Sequence, residues 1–116
     1  ANKLKKLNTL VHPLVKKEFL EWQEKQKSSY IIKESAILFE SNSVKGLDAV
    51  ICITAPLNLR IDRVKKRDRL NYQEIINRIE NQLSQEDKES LSDFIIVNDG
   101  LQSLLPQILR LHKLFT

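Results

Sequence analysis

Residues Asp48–Thr54 read Asp-Ala-Val-Ile-Cys-Ile-Thr, and no other stretch narrows the possible folds so far. The run has strand length and is almost wholly apolar. That pattern suits a strand buried on both faces of a parallel sheet. Phe94–Val97 (Phe-Ile-Ile-Val) and Tyr30–Glu34 (Tyr-Ile-Ile-Lys-Glu) are two further strand-like runs. Helical patterns separate them. The expected order is helix, helix, strand, helical loop, strand, helical hairpin, short helix, strand, helix. Such alternation predicts an α/β chain with a parallel sheet and helices on its faces. With 116 residues there is enough chain for one domain with a modest core.

The hairpin occupies residues 56–83. Pro56 suits a first helical turn, where its missing N–H costs nothing. Leu57, Ile61 and Val64 fall on one stripe, and Arg60, Arg63 and Arg67 on a neighbouring one. A break is expected at Arg69-Leu70-Asn71. Asn71 then serves as the N-cap of a second helix, with Glu74 placed to complete a capping box. Ile75, Ile79 and Leu83 are its expected buried stripe, and Arg78 and Gln82 share one side. Two guanidinium rows and an amide on a helical hairpin are what a phosphate-gripping flap needs. Guanidinium forks match phosphate oxygens and stay charged at any working pH.

Upstream, Leu4, Leu7, Leu10 and Val11 are spaced for a helix starting near Ala1 and ending near Val11, because the residue before Pro13 is pushed out of helical geometry. A second helix is expected from Pro13 to about Ser28, burying Val15, Phe19 and Trp22. Downstream, Ser84–Asp87 predicts a capping box opening a short helix through Leu91. Asn98-Asp99-Gly100 predicts a turn after the Phe94–Val97 strand. A last helix is expected over about Gln102–Phe115, burying Leu104, Ile108, Leu111 and Phe115, with His112 at its edge. Cys52 cannot form an internal disulfide, being the sole cysteine, which fits a reducing, cytoplasmic setting. Two histidines and one cysteine without ligand spacing argue against a metal site. The net charge of +4 suits phosphate-rich small molecules and is not gathered in a tail. No apolar run approaches the roughly 20 residues of a membrane span.

Several segments together resemble the dephospho-CoA kinases, a family of P-loop kinases related to adenylate kinase. Leu7-Asn8-Thr9-Leu10-Val11-His12-Pro13 is similar to a segment of that family, Leu38-Phe39-Glu40 to another. Arg63–Asp68 with Arg78–Gln82 looks like its lid, and Ser92–Gly100 like its last strand and turn. The resemblance implies a three-layer α/β/α P-loop kinase-like fold with a helical lid. It also implies ATP-dependent phosphorylation of the ribose 3′-hydroxyl of dephospho-CoA, with Mg²⁺. On that basis Arg67 and Arg63 would stabilise the transferring phosphoryl group. Asp68, Arg78 and Gln82 would support the lid, with Asp68 orienting Arg67. Asn98 and Gly100 would join Arg67 in binding the nucleotide. His12, Leu38, Phe39 and Glu40 would hold dephospho-CoA, with residues 1–28 as helices beside that region. Ala36 and Ile37 depart from the proline and leucine of the family pattern.

The chain has two glycines, Gly46 and Gly100, and no G-x-x-x-x-G-K-[ST] loop to cradle phosphates. It also has no methionine. Residues 1–116 are therefore expected to be a single C-terminal fragment of the kinase domain, inactive alone and without the ligands for Mg²⁺. In the superfamily the P-loop strand separates the strands matching Tyr30–Glu34 and Asp48–Thr54. Its loss is expected to leave open edges, through which the fragment closes differently or self-associates. Neither nucleic acid nor membrane is expected as a partner under this reading. Two alternatives stay open: another nucleotide or nucleoside P-loop kinase, and a basic helical module binding nucleic acid or protein.

Overall fold

The structure is a computed structural model and describes residues 2–116. Its elements are α1 (Asn2–Glu24), β1 (Ile51–Thr54), α2 (Leu57–Asp68), α3 (Tyr72–Glu80), α4 (Gln85–Ser90), β2 (Phe94–Val97) and α5 (Leu104–Phe115). Two compact units divide the chain. One holds the residues through Lys33 together with Phe115–Thr116; the other is Glu34–Leu114.

In the first unit α1 is one helix with Pro13 inside it, where two helices were expected. Ala1, the expected start, lies outside the described residues. A proline within a helix removes one hydrogen bond and costs about 3 kcal/mol where nothing compensates. Here every residue around Pro13 is exposed, so water can solvate the carbonyl left without its N–H partner. The apolar spacing of Leu7, Leu10, Val11 and Leu14 continues through the proline without a phase break. Contrary to expectation, Val15 and Trp22 stay exposed and Phe19 is half-buried. Phe19 meets Trp22 with ring centroids 5.9 Å apart and carries the Lys33 ammonium 5.0 Å above its ring. Residues 30–34, expected as a strand, adopt no regular structure, and Ile32 is 73% exposed. Strand propensity cannot act without a neighbour to take the backbone N–H and C=O groups.

The second unit is built on a two-stranded parallel sheet. Ile51 pairs with Phe94, Cys52 with Ile95, Ile53 with Ile96 and Thr54 with Val97. Asp93 starts the ladder: its carboxylate accepts the Val50 N–H at 2.8 Å, while the Asp93 and Phe94 N–H groups both donate to the Val50 carbonyl. At the other end the Asn98 N–H donates to the Thr54 carbonyl at 2.8 Å. Val50, Cys52 and Ile96 are buried, but Ile53 is 63% exposed, so the expected burial on both faces is only partial. Short α4 lies on β1 through the Thr54 hydroxyl to Glu89 and the Gln85 amide to the Cys52 sulfur.

Between the strands, α2 and α3 form the expected hairpin. Pro56 is the N-cap of α2, one place earlier than anticipated. Arg69 ends the helix in left-handed geometry (φ 54°) with its N–H on the Lys65 carbonyl. Asn71 and Glu74 make both bonds of the capping box, each 2.9 Å long. Ile75 is the most buried side chain described, 1% exposed. Helix α3 stops at Glu80, so Leu83 lies beyond it and is not part of a buried stripe. The last helix begins at Leu104, not Gln102, because the Asp99 carboxylate holds the Leu101 and Gln102 N–H groups in a turn. Leu104 and Ile108 are exposed, while Leu111 and Phe115 are half-buried.

Ile75→Ala should destabilise the protein by about 2–5 kcal/mol, since it removes a buried side chain and leaves a cavity. Chemical denaturation of the variant beside the parent checks this; a change below about 1 kcal/mol would show that Ile75 does not anchor the hairpin.

Candidate functional site

The densest set of ion pairs lies where α2 meets α3. Asp68, the last residue of α2, is gripped by two guanidiniums. Arg67 donates from Nε to Oδ1 at 2.7 Å and from Nη2 to Oδ2 at 3.0 Å. Arg78 reaches across from α3 and donates from Nη1 to Oδ2 at 2.8 Å. The fork geometry of Arg67 is the bidentate one that fixes a guanidinium plane as well as its charge. Hydrogen bonding to Arg67, then to Arg78, holds the Asp68 carboxyl down at about 2, from an ordinary 3.8. The same bond pushes the Arg67 guanidinium further up. Both arginines remain largely solvent-exposed. Arg67 Nη1 has no protein partner among the described residues.

One turn earlier on the same helix, Arg63 donates from Nη1 to the backbone carbonyl of Asn98 at 2.8 Å. Helix α2 therefore touches the loop that follows β2. That loop is fixed along its length. The Asn98 N–H is bound to Thr54, and Asp99 Oδ1 accepts from Leu101 and Gln102 at 2.9 Å each. These two backbone donors hold the Asp99 carboxyl below its ordinary value. Gly100 takes φ +78°, a conformation open to glycine and strained for most other residues. At the base of the loop the Gln107 side-chain amide pairs with Val97 in both directions.

The remaining expected residues are placed less centrally. Gln82 lies beyond α3 and accepts from the Lys88 ammonium at 2.7 Å; that ammonium also donates to the Ala36 carbonyl. Glu40 accepts the Leu83 N–H at 3.4 Å, which ties the 35–46 turns to the segment leaving the hairpin. Leu38 and Phe39 are half-buried in those turns. His12 belongs to the other unit, exposed on α1 in a shallow depression with Leu4, Lys5, Asn8, Thr9 and Pro13. Cys52 is buried, and burial pushes its thiol up, which disfavours a reactive thiolate. Among the described residues no three of His, Cys, Asp and Glu stand together to hold a metal, and no helix is long and apolar enough to cross a membrane.

The family model for dephospho-CoA kinase matches residues 1–103 of this chain, which takes in α1, the hairpin and the Asn98–Gly100 loop. The chain belongs to the dephospho-CoA kinase family. A dephospho-CoA kinase of Bacteroides fragilis is 41% identical over 106 residues, covering 90% of this chain and 52% of that protein. One from Bacillus licheniformis is 34% identical over 119 residues, covering 98% of this chain and 58% of that protein. Among solved structures, the crystal structure of TT1252 from Thermus thermophilus matches with a TM-score of 0.88 at 27% identity, over 97% of this chain and 59% of the other. The chain thus spans about half the length of the curated relatives it matches. The parallel pair with its helices is the family's P-loop kinase-like α/β fold.

Sequence reasoning did not find Gln107, whose partner is a backbone group ten residues away, nor Lys88, which joins Gln82 to the 35–46 turns. Neither carries a motif. The Asp68 fork yields a pH expectation. Its carboxyl is depressed in the folded state, so the bonds contribute fully above the unfolded value near 3.8 and are lost as pH falls through about 2. The Asp68 carboxyl resonance should titrate near 2. Arg67→Gln should raise that midpoint more than Arg78→Gln does, because Arg67 is the larger cause. Equal midpoints in all three proteins would show that the fork is not formed in solution.

Proposed function

We propose that the protein carrying this chain transfers the γ-phosphoryl group of ATP to the ribose 3′-hydroxyl of dephospho-CoA, giving CoA, and that these residues form its lid and nucleotide loop. The Asp68 fork carries the reading. It leaves Arg67 oriented, charged and with Nη1 available, the arrangement needed to meet charge developing on equatorial phosphoryl oxygens. ATP supplies the phosphoryl group. Arg67 and Arg63 lower the cost of its transfer by electrostatic stabilisation, with no reorganisation left for the moment of reaction. Arg63 spends one donor on Asn98 and so brings the lid to the nucleotide loop. Closure of such a lid excludes the water that would otherwise accept the phosphoryl group. Asn98 and Gly100 face the adenine. Leu38, Phe39 and Glu40 of the second unit hold dephospho-CoA, and His12 of the first unit is proposed as a further contact on the family resemblance alone.

Among the described residues no cluster of His, Cys, Asp and Glu is assembled to hold Mg²⁺. The 116 residues also contain no glycine-rich phosphate loop, so by themselves they are proposed to be inactive. The reducing cytoplasm suits the single buried cysteine.

In the full-length protein, Arg67→Ala should lower kcat for ATP-dependent phosphorylation of dephospho-CoA by about 10³-fold while leaving the unfolding midpoint nearly unchanged. Steady-state kinetics beside thermal denaturation reads both. Full turnover in a well-folded variant would remove Arg67 from the reaction.

A further inference from the structure

The loop proposed to face the nucleotide is six residues long, from Asn98 to Ser103, and one side chain closes it at both ends. Gln107 Oε1 accepts the Val97 N–H at 2.8 Å. Its Nε2 donates to the Val97 carbonyl at 3.0 Å and to the Ser103 carbonyl at 3.0 Å. The amide thus uses its acceptor and both of its donor hydrogens. Val97 is at the outer edge of the sheet. In a parallel pair, alternate residues turn their backbone groups to opposite sides. Phe94 and Asn98 bond towards β1, so Val97 bonds away from it. Gln107 therefore stands where a neighbouring strand would stand, and it also holds the far end of the loop.

Each part of this arrangement needs an amide. A carboxylate could accept from Val97 but would set charge against two carbonyl oxygens. A hydrocarbon could do neither. The loop's internal bonds, from Asp99 to Leu101 and Gln102, fix its tip but not its base. We infer that Gln107 is a positioning residue for nucleotide binding: it clamps the base of the Asn98–Ser103 loop, so that the loop is already shaped when ATP arrives. The inference rests on the kinase reading above, and it adds a residue outside the lid, reached through Val97 and Ser103.

The test compares Gln107→Glu and Gln107→Met with the parent in the full-length protein, reading amide hydrogen exchange and steady-state kinetics. Met keeps the side-chain length and loses every bond. Exchange of the Val97 amide and of the loop amides should quicken about tenfold or more, and KM for ATP should rise by a similar factor. The KM for dephospho-CoA and kcat should change by less than about twofold. Glu keeps the acceptor for Val97 N–H and so should protect that amide better than Met, while KM for ATP still rises. Unchanged loop exchange in a folded Met variant overturns the clamp. Faster exchange with an unaltered ATP KM overturns the nucleotide role. If the parent protein itself fails to phosphorylate dephospho-CoA, the kinase reading falls, and the inference falls with it as a statement about ATP. The exchange result then still reports whether the clamp exists.

Discussion

The parallel register between β1 and β2 sets what everything between them must do. Parallel neighbours cannot be joined by a tight turn; the chain has to travel back to the starting end of the sheet before the second strand begins. Residues 55–93 are that return path, and α2, α3 and α4 are strung along it. The hairpin is therefore not an appendage. Its ends are fixed by the ladder, from Val50 and Asp93 at one end to Thr54 and Asn98 at the other. Helix α2 leaves directly after β1, and the Asn98–Ser103 loop leaves directly after β2. They start side by side because Thr54 and Val97 are register partners. The short reach from Arg63 to the Asn98 carbonyl follows from that adjacency.

Local chemistry supplies the angles that topology leaves open. The left-handed Arg69 turns the chain at the end of α2, and the Asn71–Glu74 box restarts it as α3. Ile75 then seats α3, and Arg78, one turn on, arrives at Asp68. A capping box lets the second helix begin at a fixed residue, which fixes which face carries Arg78. The side-chain bonds that set the hairpin geometry join Asn71 to Glu74 and Asp68 to Arg78, partners no more than ten positions apart.

That distance explains which features were legible in the sequence. The break at Arg69–Asn71, the capping box and the turn after β2 are set by neighbours along the chain and appear where the residue types place them, while β2 appears where its residue types place it because β1 lies beside it. The Arg67–Asp68 pair was expected from the family resemblance, and the structure forms it. The failures are those where a partner decides. Tyr30–Glu34 has strand residues and adopts no regular structure, because propensity alone does not make a ladder. Pro13 has the wrong backbone for a helix interior, yet solvent relieves the damage and α1 runs on. Gln107 looks like any polar residue on an exposed helix; only the fold shows that its amide faces a sheet edge.

The Asp68 fork is better understood as geometry than as stability. Exposed ion pairs contribute little to folding, commonly less than about 1 kcal/mol, because water and salt compete for both charges. Asp68 also sits at the C-terminal end of α2, where the helix dipole disfavours a carboxylate. Lys65, Lys66 and Arg67 in that last turn offset the dipole without any need for an acid. An aspartate placed there is unfavourable unless it does something else. It accepts three hydrogen bonds from two helices, and by doing so it removes the rotational freedom of Arg67 while cancelling only one of two positive charges. The phosphate-gripping role proposed for the hairpin would call for both properties, net positive charge and a guanidinium held at a set angle. Replacing Asp68 with a neutral residue would increase the positive charge of the hairpin and weaken its aim.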